Sequence, residues 1–229
     1  MPTDLLLGGD IEVVGRMPYS SNATFLVRIT HGDTETKAIY KPLRGERPLW
    51  DFPPGLYKRE IAAYVVSEHL GLHVVPPTVE RDGPYGIGSV QLFIEARFDE
   101  HYFTLFERRE DLHDQFRRIA VFDIVANNTD RKSGHCLIDD DDRIWAIDNG
   151  LCFAEHFKLR TVIWEFGGET IPADLLTRVA ALADQPPAEL RDVLTPEEIE
   201  AMVERSRLLV TGAVLPVDPT GQRYPWPMV

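Results

Sequence analysis

Apolar positions alternate with polar ones, or gather in short β-branched runs, through the first 95 residues, and then recur at helical spacing through much of the remainder. The first pattern predicts strands at Ile11 to Arg16 and Thr24 to Ile29, joined by the polar link Met17 to Ala23. Further strands are predicted at Thr36 to Lys41, ended by Pro42, at Val74 to Val79, and at Ile87 to Glu95, the last two joined by a turn over Arg81 to Pro84. One helix interrupts them, Leu56 to Leu70, with Ile61, Tyr64, Val65 and Leu72 as its apolar stripe and Gly71 as its stop.

After Glu95 the helical spacing takes over. Asp111 to Val125 carries Leu112, Phe116, Ile119, Ala120 and Phe122 on one stripe. Thr170 reads as a cap with Pro172 in the first turn, and Thr195-Pro-Glu-Glu198 as the start of a further helix. Between these helices, Cys136 to Ile138 and Arg143 to Ile147 flank the acidic turn Asp139 to Asp142 and read as a hairpin. The fold class expected is α+β, with a β-rich part over 1–95, a mainly helical part over 96–215 and a Pro-rich tail over 216–229, docked by Tyr224 and Trp226 or else loose.

What the hairpin joins changes the picture. Asn127-Asn-Thr-Asp-Arg131 precedes it and Ile147-Asp-Asn-Gly150 ends it, so the returning strand sets Asp148 beside Asp130. Phosphoryl transfer needs one acid near the attacking hydroxyl and another holding metal on the phosphates. The same residues are ordinary turn formers, so the weight falls on what accompanies them. Lys41 stands at a strand end and Glu60 on the helix offers it an acidic partner, the pairing that touches the α and β phosphates in kinases; solvated salt bridges are the plainer reading of both. Ser20 and Ser21 lie in the polar link and can cover phosphates, although the link holds no Gly-x-Gly-x-x-Gly pattern.

Composition narrows the partners. A formal charge of −13 argues against nucleic acid and anionic membrane surfaces. Apolar runs such as Ala62 to Val66 are far short of the roughly 20 residues that span a bilayer, and Asp4 sits where a signal peptide is basic, so a cytoplasmic protein without stable membrane insertion is expected. Cys136 and Cys152 are then expected to be buried thiols.

Four ordered segments, Tyr40-Lys-Pro42, Gly88 to Glu95, Asn128-Thr-Asp-Arg131 and Ala146 to Leu151, resemble the type II phosphatidylinositol 4-kinases and, more distantly, HipA-type serine kinases. Glu60 within Arg59 to Tyr64, followed by Leu70 to Pro76, fits the same pattern, and the chain is similar to a small actinobacterial group of the phosphatidylinositol 3- and 4-kinase superfamily. The resemblance covers about residues 10–170. It implies a bilobal protein-kinase-like fold that uses ATP with Mg²⁺ or Mn²⁺. Lys41 would bind phosphate, Glu60 would orient it, and Gln91, Leu92, Phe93 and Ile94 would form a hinge facing adenine. Asp130 would be the catalytic aspartate, Arg131 its stabiliser or that of the transferring group, and Asp148 a metal ligand.

The kinase pattern has an Asn five residues after the catalytic Asp; here His135 stands there. Imidazole suits Mn²⁺ better than Mg²⁺. His135 is therefore expected to bind metal, to hold a phosphate when protonated or to brace the loop, with Asn128 or Asn149 as alternative second oxygen donors. The acceptor-facing segment Leu151 to Trp164 offers His156, Lys158 and Arg160, of which Lys158 and Arg160 are the substrate-binding candidates for an anionic acceptor. The expected function is a kinase acting on a hydroxyl of a soluble acceptor, an inositol-like small molecule or a protein Ser/Thr. The alternatives are a nucleotide-binding pseudokinase working through partners, or AMP transfer by the same fold. Oligomeric state is not legible.

Overall fold

A computed structural model of the chain describes residues 2–18 and 20–229; Tyr19 of the polar link lies outside the described residues. Five antiparallel strands, β1 (Asp10–Arg16), β2 (Phe25–His31), β3 (Thr34–Pro42), β4 (Thr78–Gly83) and β5 (Gly86–Leu92), form a sheet in the order β1-β2-β3-β5-β4. Pairing of Tyr40 with Val90 and Lys41 with Ser89 sends Tyr40 to the sheet's buried face and Lys41 to the other. A short helix not foreseen from sequence, α1 (Pro2–Gly8), drops Leu6 onto that buried face beside Val27, Ile29 and Val90.

Helix α2 (Leu56–His69) ends as expected: Gly71 adopts φ 60° and the Leu72 N–H returns to the Ser67 carbonyl. The strand expected at Val74 to Val79 does not form there, because Pro76 and Pro77 have no N–H for a ladder. The Val74 and Val75 N–H groups donate instead to Ser67 Oγ, at 2.9 and 3.2 Å. β4 therefore starts at Thr78 and takes in Arg81 to Gly83, which leaves Pro84 and Tyr85 as the turn. β5 stops at Leu92 rather than Glu95, with a last bond from the Phe93 N–H to the Lys37 carbonyl.

The remaining chain is mainly helical: α3 (Tyr102–Arg108), also unforeseen, α4 (His113–Ala126), α5 (Ala173–Asp184) and α6 (Pro196–Gly212), with the hairpin β6 (Cys136–Ile138) and β7 (Ile144–Ala146) after α4. Phe116, Ile119, Ala120 and Phe122 of α4 lie in one large core with Ala62 and Val66 of α2 and Leu70 that follows it, so the helix carrying Glu60 is packed against the helical lobe. The Thr195 cap of α6 is present with Glu198 as its reciprocal partner. Thr170 caps nothing: α5 begins at Ala173 after Pro172, and Thr170 pairs with Val214. The tail is docked, but not by Trp226, which is 87% exposed. The Arg223 carbonyl accepts from the Thr161 N–H and Trp164 Nε1–H, and the Met228 carbonyl from the Ser133 N–H at 2.8 Å. Among the described residues, no helix is long and apolar enough to cross a membrane.

Arg59 on α2 and Glu198 on α6 form a buried ion pair between the two lobes. Removing one member of a buried pair strands the other charge, so Arg59→Ala is expected to cost about 3–5 kcal/mol of stability in chemical denaturation. A loss below about 1 kcal/mol would show that water solvates the pair, as at a surface.

Candidate active site

The cleft is built from local geometry on both sides. β3 delivers Lys41 at its end, and the packed helix α2 delivers Glu60, which is 2% exposed. Lys41 Nζ donates to Glu60 Oε1 and, at 2.8 Å, to Asp148 Oδ1. Glu60 Oε2 accepts the Asn149 N–H at 3.0 Å, so one helix carboxylate ties the strand lysine to the loop after β7. Burial works against the Lys41 charge, but Asp148 and Glu60 together hold its pKa above the ordinary lysine value. The Lys41 ammonium in turn holds the half-exposed Asp148 well below the usual carboxylate range.

The loop after α4 is shaped by its side chains. Asn127 takes the left-handed conformation at the helix end, donates to the carbonyls of Ala154 and His156, and accepts the Lys158 N–H. Asn128 accepts the Asp130 N–H at 2.9 Å, an Asx-type turn; turn chemistry and site chemistry thus coexist in these residues. Asp130 lies with Lys132 Nζ 3.3 Å from its Oδ2. Burial raises the Asp130 pKa, Lys132 opposes that, and Asp148 adds to it.

Arg131 lies away from the cleft. Its side chain is fully buried, with Nε and Nη2 on Asp123, Nη1 on the Ile147 carbonyl at 2.6 Å and Nη2 on Asn149 Oδ1 at 2.6 Å. A guanidinium turned into the core cannot touch a transferring group, so Arg131 is a positioning residue that clamps the Asp130 loop to the Asp148 loop. Asn128 and Asn149 are equally committed: Asn128 donates to Asp123 and Asn149 to the Ala146 carbonyl.

His135 faces the cleft. Its Nδ1 lies 2.9 Å from the Asp130 carbonyl and its Nε2 3.4 Å from Asp148 Oδ2. Burial lowers its pKa to about 4, so the ring is neutral near pH 7. In the tautomer that donates from Nδ1 to the carbonyl, the Nε2 lone pair faces the Asp148 carboxylate, two acceptors that a cation between them would reconcile; in the other, Nδ1 accepts the Lys132 N–H at 3.4 Å and Nε2–H donates to Asp148. The donor set fits Mn²⁺ or Mg²⁺ through Asp148 with His135 as the nitrogen ligand. No group of three or more His, Cys, Asp or Glu capable of holding a metal occurs among the described residues, so phosphate and water oxygens would complete the shell. His135→Asn is expected to raise the Mg²⁺-supported ATP turnover relative to the Mn²⁺-supported rate, measured side by side; an unchanged ratio would remove His135 from the metal shell.

Two adjoining cavities open from this point. One of about 270 Å³ is walled by Met17, Ile39, Leu92, Ile94, Leu137 and Ile147, an apolar slot suited to a purine. Gln91 lines it with its Nε2 donating to Thr78 Oγ1, and the Phe93 N–H is used by the Lys37 carbonyl. The Ile94 N–H bonds no acceptor among the described residues. The other, about 430 Å³, has Ser20, Ser21, Lys41, Asp130, Lys132 and Asp148 on its wall. A larger cavity of about 700 Å³, on the far side of Leu92, is lined by none of the Asp130 or Asp148 loop residues.

Lys158 and Arg160 line neither of these two cavities. Lys158 Nζ is held by Asp51, 3.2 Å from both its carbonyl and its Oδ2, over the Phe52 ring. Arg160 is exposed, and its backbone braces Asn128 and Arg131. Lys132 and Arg47, which do line the 430 Å³ cavity, were not singled out from sequence. The signal for Lys132 was a second consecutive cation, two positions beyond Asp130, in a chain of strongly negative charge.

Residues 52–207 match the family described as phosphatidylinositol 3- and 4-kinase. Protein Rv2133c of Mycobacterium tuberculosis is 38% identical over 97% of this chain and 94% of its own length. Among solved structures, hydra Fam20 with sugar superposes with a TM-score of 0.62 at 13% identity, over 93% of this chain and 86% of that one, which is a likeness of fold. The Helicobacter pylori proinflammatory kinase CtkA, at 13% identity over 92% of this chain and 94% of that one, has a TM-score of 0.48, too loose to build on. The family match and the Mycobacterium tuberculosis relative agree with the Lys41–Glu60–Asp148 arrangement: the chain belongs to the phosphatidylinositol 3- and 4-kinase family, with the bilobal α+β fold of kinase-type phosphotransferases.

Proposed function

We propose that this protein transfers the γ-phosphoryl group of ATP to a hydroxyl of a soluble acceptor, with Mg²⁺ or Mn²⁺ as the required metal. The observation that carries the reading is the convergence of Lys41, Asp130, Lys132, His135 and Asp148 on one cavity wall beside an apolar slot of purine size. Phosphoryl transfer is mostly positioning and charge neutralisation, and these residues divide that work. The Asp130 carboxylate accepts the hydrogen bond of the attacking hydroxyl and orients its oxygen, while Lys132 offsets charge on the transferring group. Lys41, fixed by Glu60, receives the non-transferred phosphates, and Ser20 and Ser21 cover them. Asp148 and His135 would hold the metal, which would supply charge neutralisation on the phosphate oxygens.

The test is phosphorus NMR of the protein incubated with ATP, metal and a cell extract. ADP together with a new phosphoester is the expected result. Pyrophosphate and an adenylylated product would assign AMP transfer instead. Thermal stabilisation by ATP with no turnover under either metal would make the protein a nucleotide-binding pseudokinase.

A further inference from the structure

Between β3 and α2 the chain runs across to the helical lobe and is fastened there. Asp51 holds Lys158, whose ammonium also lies over the Phe52 ring at 5.0 Å, and Phe52, Leu56 and Ala154 form a small buried cluster with Leu151 packed on it. The start of the same segment, Glu46, Arg47 and Leu49, forms a wall of the 430 Å³ cavity that also holds Asp130 and Lys132. A tied-down strap therefore spans this side of the cavity that holds Asp130. Binding pockets for small ligands run from about 300 to 1,000 Å³, so this cavity, shared with a triphosphate, suits a compact acceptor.

The charges on its wall say what that acceptor carries. Glu60 and Asp148 are paired with Lys41, and Asp130 with Lys132. Glu46 is spent on the N–H groups of Gly55 and Tyr57 at the start of α2. The Arg47 backbone N–H is held by Asn22 of the phosphate-covering link at 2.9 Å, while its exposed guanidinium has no acceptor among the described residues. In a chain of formal charge −13, an unpaired arginine on this wall is an unspent anion site.

We propose that the acceptor is a free, low-molecular-weight hydroxyl compound bearing a phosphate or carboxylate, held by Arg47 while its hydroxyl meets Asp130, and that polypeptides are excluded by the strap. This rests on the kinase reading above. In the transfer, the acceptor oxygen forms the new P–O bond, the bond from the γ-phosphorus to the ADP oxygen breaks, and the hydroxyl proton leaves by way of Asp130.

The experiment uses the full chain with γ-labelled ATP and metal on three separate probes from a cell extract: the low-molecular-weight filtrate, the dialysed polypeptide fraction and the organic lipid extract. Asp148-dependent label is expected in the filtrate, and passing the filtrate over an anion exchanger before ATP is added should remove the acceptor and with it the label. Arg47→Ala should cut that transfer about tenfold or more through the acceptor KM, leaving the ATP KM unchanged, with partial rescue by Arg47→Lys. Label in polypeptide or in lipid, or an Arg47→Ala enzyme that labels the filtrate as well as wild type, overturns this assignment while leaving the kinase reading intact. No Asp148-dependent label in any fraction overturns both.

Discussion

Asp148→Asn is expected to lower phosphoryl transfer by about 10²-fold or more, the equivalent of a few kcal/mol of transition-state stabilisation. Asp148 sits in the left-handed region at φ 57°, a conformation that Asn accepts readily, so the backbone of the loop should be kept. The change removes one negative charge from a cluster in which Lys41 and His135 both face that carboxylate. ATP affinity should then cease to depend on metal. Calorimetric titration of ATP with and without Mn²⁺ reads this directly: wild type should tighten on adding metal and the variant should not. Equal tightening in both would place the metal elsewhere.

Arg131→Ala carries the largest expected cost in stability. It strands Asp123, which is fully buried and accepts three of the Arg131 contacts, and it also unties the Ile147 carbonyl and Asn149. Breaking a buried pair from one side costs about 3–5 kcal/mol, against a total of about 5–15 kcal/mol for an ordinary domain. The variant should be largely unfolded or lose most of its denaturant midpoint. Arg131→Lys should rescue little, because the compact ammonium lacks the planar fork whose Nε, Nη1 and Nη2 reach the separate oxygens of Asp123, Ile147 and Asn149. A midpoint like that of wild type in Arg131→Ala would show that the two loops are held by other contacts.

Arg131 also marks where sequence stopped being informative. The Asp130–Asp148 hairpin was legible because its strands and acidic turn are local, and so were Lys41 at a strand end and Glu60 on a helix. The direction of Arg131 was not, since it follows from Asp123, an acid inside the apolar stripe of α4, where a buried charge needs a partner. Lys158 misled for a related reason: its partner Asp51 lies across the lobes, a contact that no spacing rule encodes. Arg47 escaped notice because a cation in a Pro-rich loop reads as solvated until the opposite wall of the cavity is known. The strand expected at Val74 failed on Pro76 and Pro77, a cue present in the sequence that β-branched content outweighed.

The central claim, that the cleft moves a phosphoryl group onto a hydroxyl oriented by Asp130, is tested most directly by single-turnover transfer from γ-labelled ATP in wild type and Asp130→Asn. A drop of about 10²–10⁴-fold in transfer is expected, with ATP affinity unchanged. Transfer by Asp130→Asn at the wild-type rate would contradict it.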